Sequence, residues 1–168
     1  MKKIILKAEN LHYSYTKEHE ALKGVSLDIY EGERLAILGA NGSGKSTFFL
    51  NINGVLKPNS GNVYYMDKLI DKTSIKELRK NVGIVFQDAD NQIIASTVRA
   101  EVSFGPINLG LSKEEVEKRV LDSLNYMNIS HLIDRPPHYL SGGEKKRVSI
   151  ADIIAMDSQI IISVSYTH

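Results

Sequence analysis

Residues Gly39 to Thr47 read GANGSGKST, a glycine-rich string held between the apolar run Leu35 to Leu38 and an apolar-periodic stretch that begins near Phe48. The pattern GxxxxGK followed by Ser or Thr needs a strand before it and a helix after it, and both flanks suit those roles. The string therefore commits the chain to a strand-loop-helix unit, and with it to an α/β fold.

That unit has a chemical purpose. Cradling a polyphosphate requires several backbone N–H groups to come close without side-chain obstruction, and glycine alone removes the Cβ. Gly39, Gly42 and Gly44 meet that need, with Asn41, Ser43 and Thr47 completing the loop. The helix that follows turns its positive end towards the phosphates, Lys45 adds a point charge near the β and γ positions, and Ser46 offers a hydroxyl to Mg²⁺. A chance glycine-rich turn before a helix is the alternative. The full string in strand-loop-helix context argues against it and for binding of a nucleoside triphosphate.

The 168 residues, 42% of them hydrophobic, suit a single domain with an ordinary core. Lys plus Arg total 21 against 20 Asp plus Glu, so no net field draws the chain to nucleic acid or anionic lipid. No cysteine is present, which removes disulfides and thiolate metal sites. The opening MKKIILKAEN carries too short an apolar run for a signal peptide, and no stretch approaches the roughly 18 apolar residues of a membrane span. A cytoplasmic location is expected, and any membrane role needs a separate partner. The five histidines have neither i,i+4 spacing nor a thiolate companion, so a metal site built on them is disfavoured.

Alternation around Leu11, Tyr13 and Tyr15, and again at Val25, Leu27 and Ile29 before the turn at Glu31-Gly32, predicts half-buried antiparallel strands. Arg34 to Leu38 lacks alternation, as a parallel strand covered on both faces should. The helix after Gly44 is expected to run to about Asn53-Gly54. Val63 to Met66 and Val82 to Phe86 read as further strands, separated by a helical piece with Ser74 and Glu77 at capping-box spacing. From Asp88 to Tyr139 the texture is helical, with Ser112 and Glu115 opening a helix whose Val116, Val120, Leu124 and Met127 share a face. Pro136-Pro137 ends this lobe. Ile160 to Ile162 read as one more buried strand. Lys145, Lys146 and Arg147 read as a solvated helix face, and Lys113 to Arg119 as an exposed flank.

A second glycine motif, LSGGE at Leu140 to Glu144, sets Ser141 and Glu144 as a capping box and leaves Gly142 and Gly143 bare in the first turn. Such a helix end attracts anions, although taken alone the motif reads first as a good helix start.

The order of a phosphate loop, a Gln at a strand end in VFQ (Val85 to Gln87), a helical insertion and LSGGE resembles the ATP-binding cassette (ABC) ATPases, from Leu6 to Ile162. The resemblance implies a P-loop NTPase (RecA-like) parallel-sheet core with an N-terminal antiparallel β subdomain and an inserted α-helical subdomain. Residues 1–168 would be a single, C-terminally incomplete domain, its core at 1–87 and 141–168 and its helical subdomain at about 88–140. It also implies a homo- or heterodimer in which ATP lies between the glycine loop of one subunit and Ser141, Gly142, Gly143 and Glu144 of the other. Gln87 would touch Mg²⁺ or the attacking water and report to a transmembrane subunit. A Gln that only ties down backbone at a strand end is the alternative. Tyr15 matches the adenine-stacking aromatic; Tyr13 is the fallback, and a plain cross-strand aromatic remains open.

The stretch VFQDADNQIIASTVRAEVSFGPINLGL, Val85 to Leu111, is similar to the cobalt/nickel and energy-coupling-factor branch, whose ATPases drive uptake of metal ions or vitamins. Asp88-Ala89-Asp90 departs from that branch's Pro-containing form. By the same resemblance, two carboxylates should follow Ile162, one for the Mg²⁺ shell and one to activate water. Val164 and Ser165 stand there instead, so no catalytic carboxylate is assigned. Losing a general base costs roughly 10²- to 10⁴-fold in rate. The abrupt end of agreement after Ile162 is read as a truncated or frameshifted chain, with a naturally non-hydrolysing, ATP-binding regulatory module or a soluble non-transport cassette as alternatives. The expected location is the cytoplasmic face of the membrane, as a peripheral subunit.

Overall fold

The computed structural model describes residues 2–86 and 92–164. Two compact units divide the chain, residues 1–79 and residues 80–168.

The first unit is built on a long antiparallel pair, β1 (Ile4–Thr16) and β2 (His19–Tyr30). β3 (Ser60–Tyr65) adds to the other edge of β1, and the two-residue β4 (Lys68–Leu69) follows it, giving the order β2-β1-β3-β4. Ala8 pairs with both Leu27 and Val63, and Leu11 pairs with Val25. The expected opening sheet is present. Leu6 and Ala8 alternate into the core, and a register shift between Ala8 and Leu11 brings Leu11 into it as well, while Tyr15 stays exposed. Helix α1 (Lys45–Ile52) buries Phe48 and Ile52, and ends at Asn53 as expected. Helix α2 (Ile75–Asn81) buries Leu78 and is preceded by a turn locked by Asp71. The Asp71 carboxylate accepts from the backbone N–H and the hydroxyl of both Thr73 and Ser74, which holds it well below the usual carboxylate range.

One expectation fails here. Arg34 to Leu38 is not a strand; Leu35 is 45% exposed and Leu38 88% exposed. A strand needs a neighbour to take its N–H and C=O groups. Neither sheet among the described residues includes this run, so an apolar sequence suited to a covered strand lies irregular at the surface.

In the second unit β5 (Val82–Val85) pairs in parallel with β6 (Ile160–Ser163), Ile84 opposite Ile162. All four residues of β5 are buried, as its unbroken apolar run demands. Three helices pack together beside them: α3 (Val98–Asn108), α4 (Lys113–Tyr126) and α5 (Gly142–Ala155). Val102, Val120, Leu124, Leu132, Val148 and Ala151 form the centre of their shared core. Ser112 caps α4 by accepting from the Glu115 N–H, and the expected face Val116, Val120 and Leu124 is buried with Met127 packed against it. Thr97 caps α3 in the same way through the Ala100 N–H. Helix α3 tolerates Pro106 in its interior.

Candidate functional site

The glycine loop is shaped by two residues with left-handed backbones, Gly42 at φ 80° and Gly44 at φ 91°. A Cβ on Gly42 would meet nothing within 4 Å, so this position faces open space. Gly44 is different: a Cβ there would stand 2.5 Å from the Ala21 carbonyl oxygen, so the glycine lets the start of α1 lie against β2. The Ser43 N–H closes the turn on the Ala40 carbonyl (3.2 Å), and no side chain caps α1. A helix start without a side-chain cap is the kind of end that suits an anion. The Lys45 ammonium donates to the carbonyls of Gly39 (2.7 Å) and Ala40 (2.8 Å), arching over the loop. Asn41, Gly42 and Ser43 are exposed, Ser46 is half-buried and Thr47 buried.

Tyr15 reaches this loop from β1. Its phenol shares a 3.1 Å hydrogen bond with the Thr47 hydroxyl, and its ring, 55% exposed, meets Tyr13 edge-on at 5.0 Å. The exposed, anchored ring is Tyr15, and Tyr13 is its support.

The second motif opens α5 with a complete capping box. The Glu144 N–H donates to the Ser141 hydroxyl (3.3 Å), and both the Ser141 N–H (2.8 Å) and hydroxyl (2.7 Å) donate to the Glu144 carboxylate. Those two bonds to Ser141 hold the Glu144 carboxyl below its ordinary value. Added Cβ atoms on Gly142 and Gly143 would meet nothing within 4 Å. Packing inside the chain therefore does not require glycine at either place, and both are exposed to an approaching molecule.

Gln87 and Ser165 lie outside the described residues. Val164 is buried, and its N–H donates to the Val85 carbonyl (2.9 Å), continuing the parallel pairing. An apolar side chain at that position offers no ligand to a cation.

Three side chains matter more than their sequence context suggests. Lys146, expected on a solvated face, donates to the Phe86 carbonyl at 2.6 Å. Glu101 is buried and accepts from the N–H groups of Ile94 (3.0 Å) and Ala95 (2.8 Å), fixing the chain that leads into α3. Asp152 on α5 is pushed up to about 7, by burial first and by the neighbouring Glu101 charge second. An acid among the apolar residues of α5 was the available signal for Asp152; nothing in the spacing of Lys146 marks it. Among the described residues no group of three or more His, Cys, Asp or Glu could hold a metal ion, and no helix is long and apolar enough to cross a membrane.

The family profile described as ABC transporter matches residues 22–163, spanning both glycine motifs. The chain belongs to the ABC transporter family. Among curated ABC relatives, the energy-coupling factor transporter ATP-binding protein EcfA of Methanococcus maripaludis is 51% identical over 160 residues, covering 94% of this chain and 58% of that protein. EcfA3 of Clostridium perfringens is 48% identical over 164 residues, covering 96% of this chain and 58% of the relative. These relatives bear out the resemblance to the energy-coupling-factor branch. Among solved ABC structures, cbiO1 of Clostridium perfringens, described as part of the ABC transporter complex cbiONQ, superposes with a TM-score of 0.85 at 47% identity, over 96% of this chain and 65% of that one. A dimeric ATP-binding cassette in a post-hydrolysis state with ADP and Pi superposes with a TM-score of 0.82 at 32% identity, over 95% of this chain and 73% of that one. The chain spans less than two thirds of the length of the curated relatives described here. The P-loop NTPase fold expected from the sequence stands, with antiparallel and parallel sheets both present.

Proposed function

We propose that this chain is the ATP-binding part of an ABC importer subunit, which couples ATP binding and hydrolysis to uptake of a cobalt/nickel-type metal ion or a vitamin. The observation that carries the reading is the glycine loop: two left-handed glycines, a helix start without a side-chain cap and Lys45 lie together in residues 39–47. That donor set fits a polyphosphate. Backbone amides of the loop would hold the phosphate oxygens, and Lys45 would exchange its carbonyl partners for the β and γ phosphates. The Tyr15 ring would stack on adenine. Ser46 is the hydroxyl suited to a hydrated Mg²⁺ already held by phosphate, and Gln87 is its expected companion.

Bound Mg²⁺ would neutralise charge on the phosphates, but Val164 and Ser165 supply neither a shell carboxylate nor a base for water. This chain then binds ATP and hydrolyses it poorly. Ser141, Gly142, Gly143 and Glu144 would face the γ-phosphate held by a second subunit, and a transmembrane partner would receive the result at the cytoplasmic face. No nucleic acid enters this scheme.

Equilibrium binding of labelled ATP with Mg²⁺, with phosphate release measured separately, tests the reading. Retention of ATP, weakened at least tenfold in Lys45→Ala, is expected. A normally folded chain that retains no ATP would overturn it.

A further inference from the structure

The end of β5 is gripped along both edges. On one edge Val85 accepts from the Val164 N–H at 2.9 Å. On the other, no strand is present among the described residues, and two side chains take its place. Gln92 accepts from the Phe86 N–H through Oε1 (3.0 Å) and donates through Nε2 to the Ile84 carbonyl (3.4 Å). Alternate residues of a strand turn their N–H and C=O groups to the same edge, so one amide side chain can serve both. Lys146 completes the edge by donating to the Phe86 carbonyl at 2.6 Å. Its ammonium makes a charge-assisted bond, stronger than a neutral one, at a point where the backbone is otherwise open to water.

The origin of that lysine gives the contact its meaning. Lys146 sits one turn into α5, whose first residues are Gly142 and Gly143 and whose cap is Ser141. Phe86 is the residue before Gln87.

We propose that Lys146 and Gln92 are positioning residues that mount the backbone at Phe86 on the start of α5, linking the Ser141-Gly142-Gly143 helix end to the approach to Gln87. The link rests on the proposed function for its purpose, since it joins the two places at which γ-phosphate would be sensed.

Amide hydrogen exchange of the nucleotide-free chain tests the mount, so its outcome is independent of whether ATP binds. Lys146→Met keeps the stem and removes the donor. Exchange in peptides covering 82–86 and 92–96 should rise about tenfold, with the melting temperature and the α4 peptides unchanged. Lys146→Arg, which restores a charged donor, should return exchange to the original rate. Gln92→Ala should loosen the same peptides, and adding Lys146→Met to it should give less than the product of the two single effects. Unchanged exchange in Lys146→Met overturns the proposal. So does loosening that Lys146→Arg fails to reverse, since that outcome assigns the residue to packing.

Discussion

Gly44 approaches Ala21 so closely that any side chain at position 44 would start 2.5 Å from the Ala21 carbonyl oxygen. The glycine that turns the phosphate loop is also the one that seats α1 on β2. Gly44→Ala combines a left-handed backbone with this overlap, and should destabilise the first unit by about 2 to 4 kcal/mol and abolish ATP retention. Gly142→Ala, with open space around it, should leave thermal unfolding unchanged or gain up to ~1 kcal/mol from helix propensity. Differential scanning calorimetry of the two variants separates a glycine needed by the chain from one left bare for a partner.

Tyr15 offers a test by halves. Tyr15→Phe removes the bond to Thr47 and should cost about 1 kcal/mol of stability, while leaving ATP affinity within about twofold because the ring remains. Tyr15→Ala removes the stacking surface and should weaken ATP roughly tenfold or more. Equal affinities in all three proteins, measured by fluorescence titration, would return Tyr15 to the role of a cross-strand aromatic.

Asp152 makes stability depend on pH in a particular direction. Its folded value of about 7 lies above the ordinary carboxyl value, so the folded state holds the proton more tightly than the unfolded chain. The stabilisation from this group is full below about pH 4, declines between about 4 and 7, and is gone above that. Asp152→Asn should flatten that part of the profile and stabilise the chain at pH 8 by about 2 to 4 kcal/mol, read from urea melts across pH. Glu101, which keeps its own backbone partners at Ile94 and Ala95, should remain in place in that variant.

Mg-ATP should raise the melting temperature. Ligand at a hundredfold excess over Kd contributes about 2.7 kcal/mol, equivalent to roughly 5 °C or more for a unit of this size. Lys45→Ala should lose most of the shift with little change in its nucleotide-free melt, since the half-buried lysine bonds to the nearby Gly39 and Ala40 carbonyls and, more weakly, to the Ser43 hydroxyl.

Local signals were legible where the chain itself supplies the partner. Ser141 and Glu144 sit three residues apart and satisfy each other, so the capping box could be read from spacing alone. The same holds for Ser112 and for the face Val116, Val120 and Leu124 on α4. Leu35 to Leu38 shows the converse, because strand character resides in a neighbour and no apolar run carries that neighbour within itself. Lys146 and Phe86 are 60 positions apart, and a surface lysine has no sequence mark that tells a carbonyl partner from water. Helix α3 was hidden in part by Pro106, whose usual penalty is offset by tertiary packing around buried Val98 and Val102.

The bare run at Leu35 to Leu38 also governs how the isolated polypeptide behaves in a tube. Peptide groups without a ladder, next to leucines facing water, form an adhesive strip that a second molecule can zip onto. Light scattering of concentrated samples should therefore climb with time, and lysine placed at Leu38 should slow that growth by making neighbouring copies repel one another.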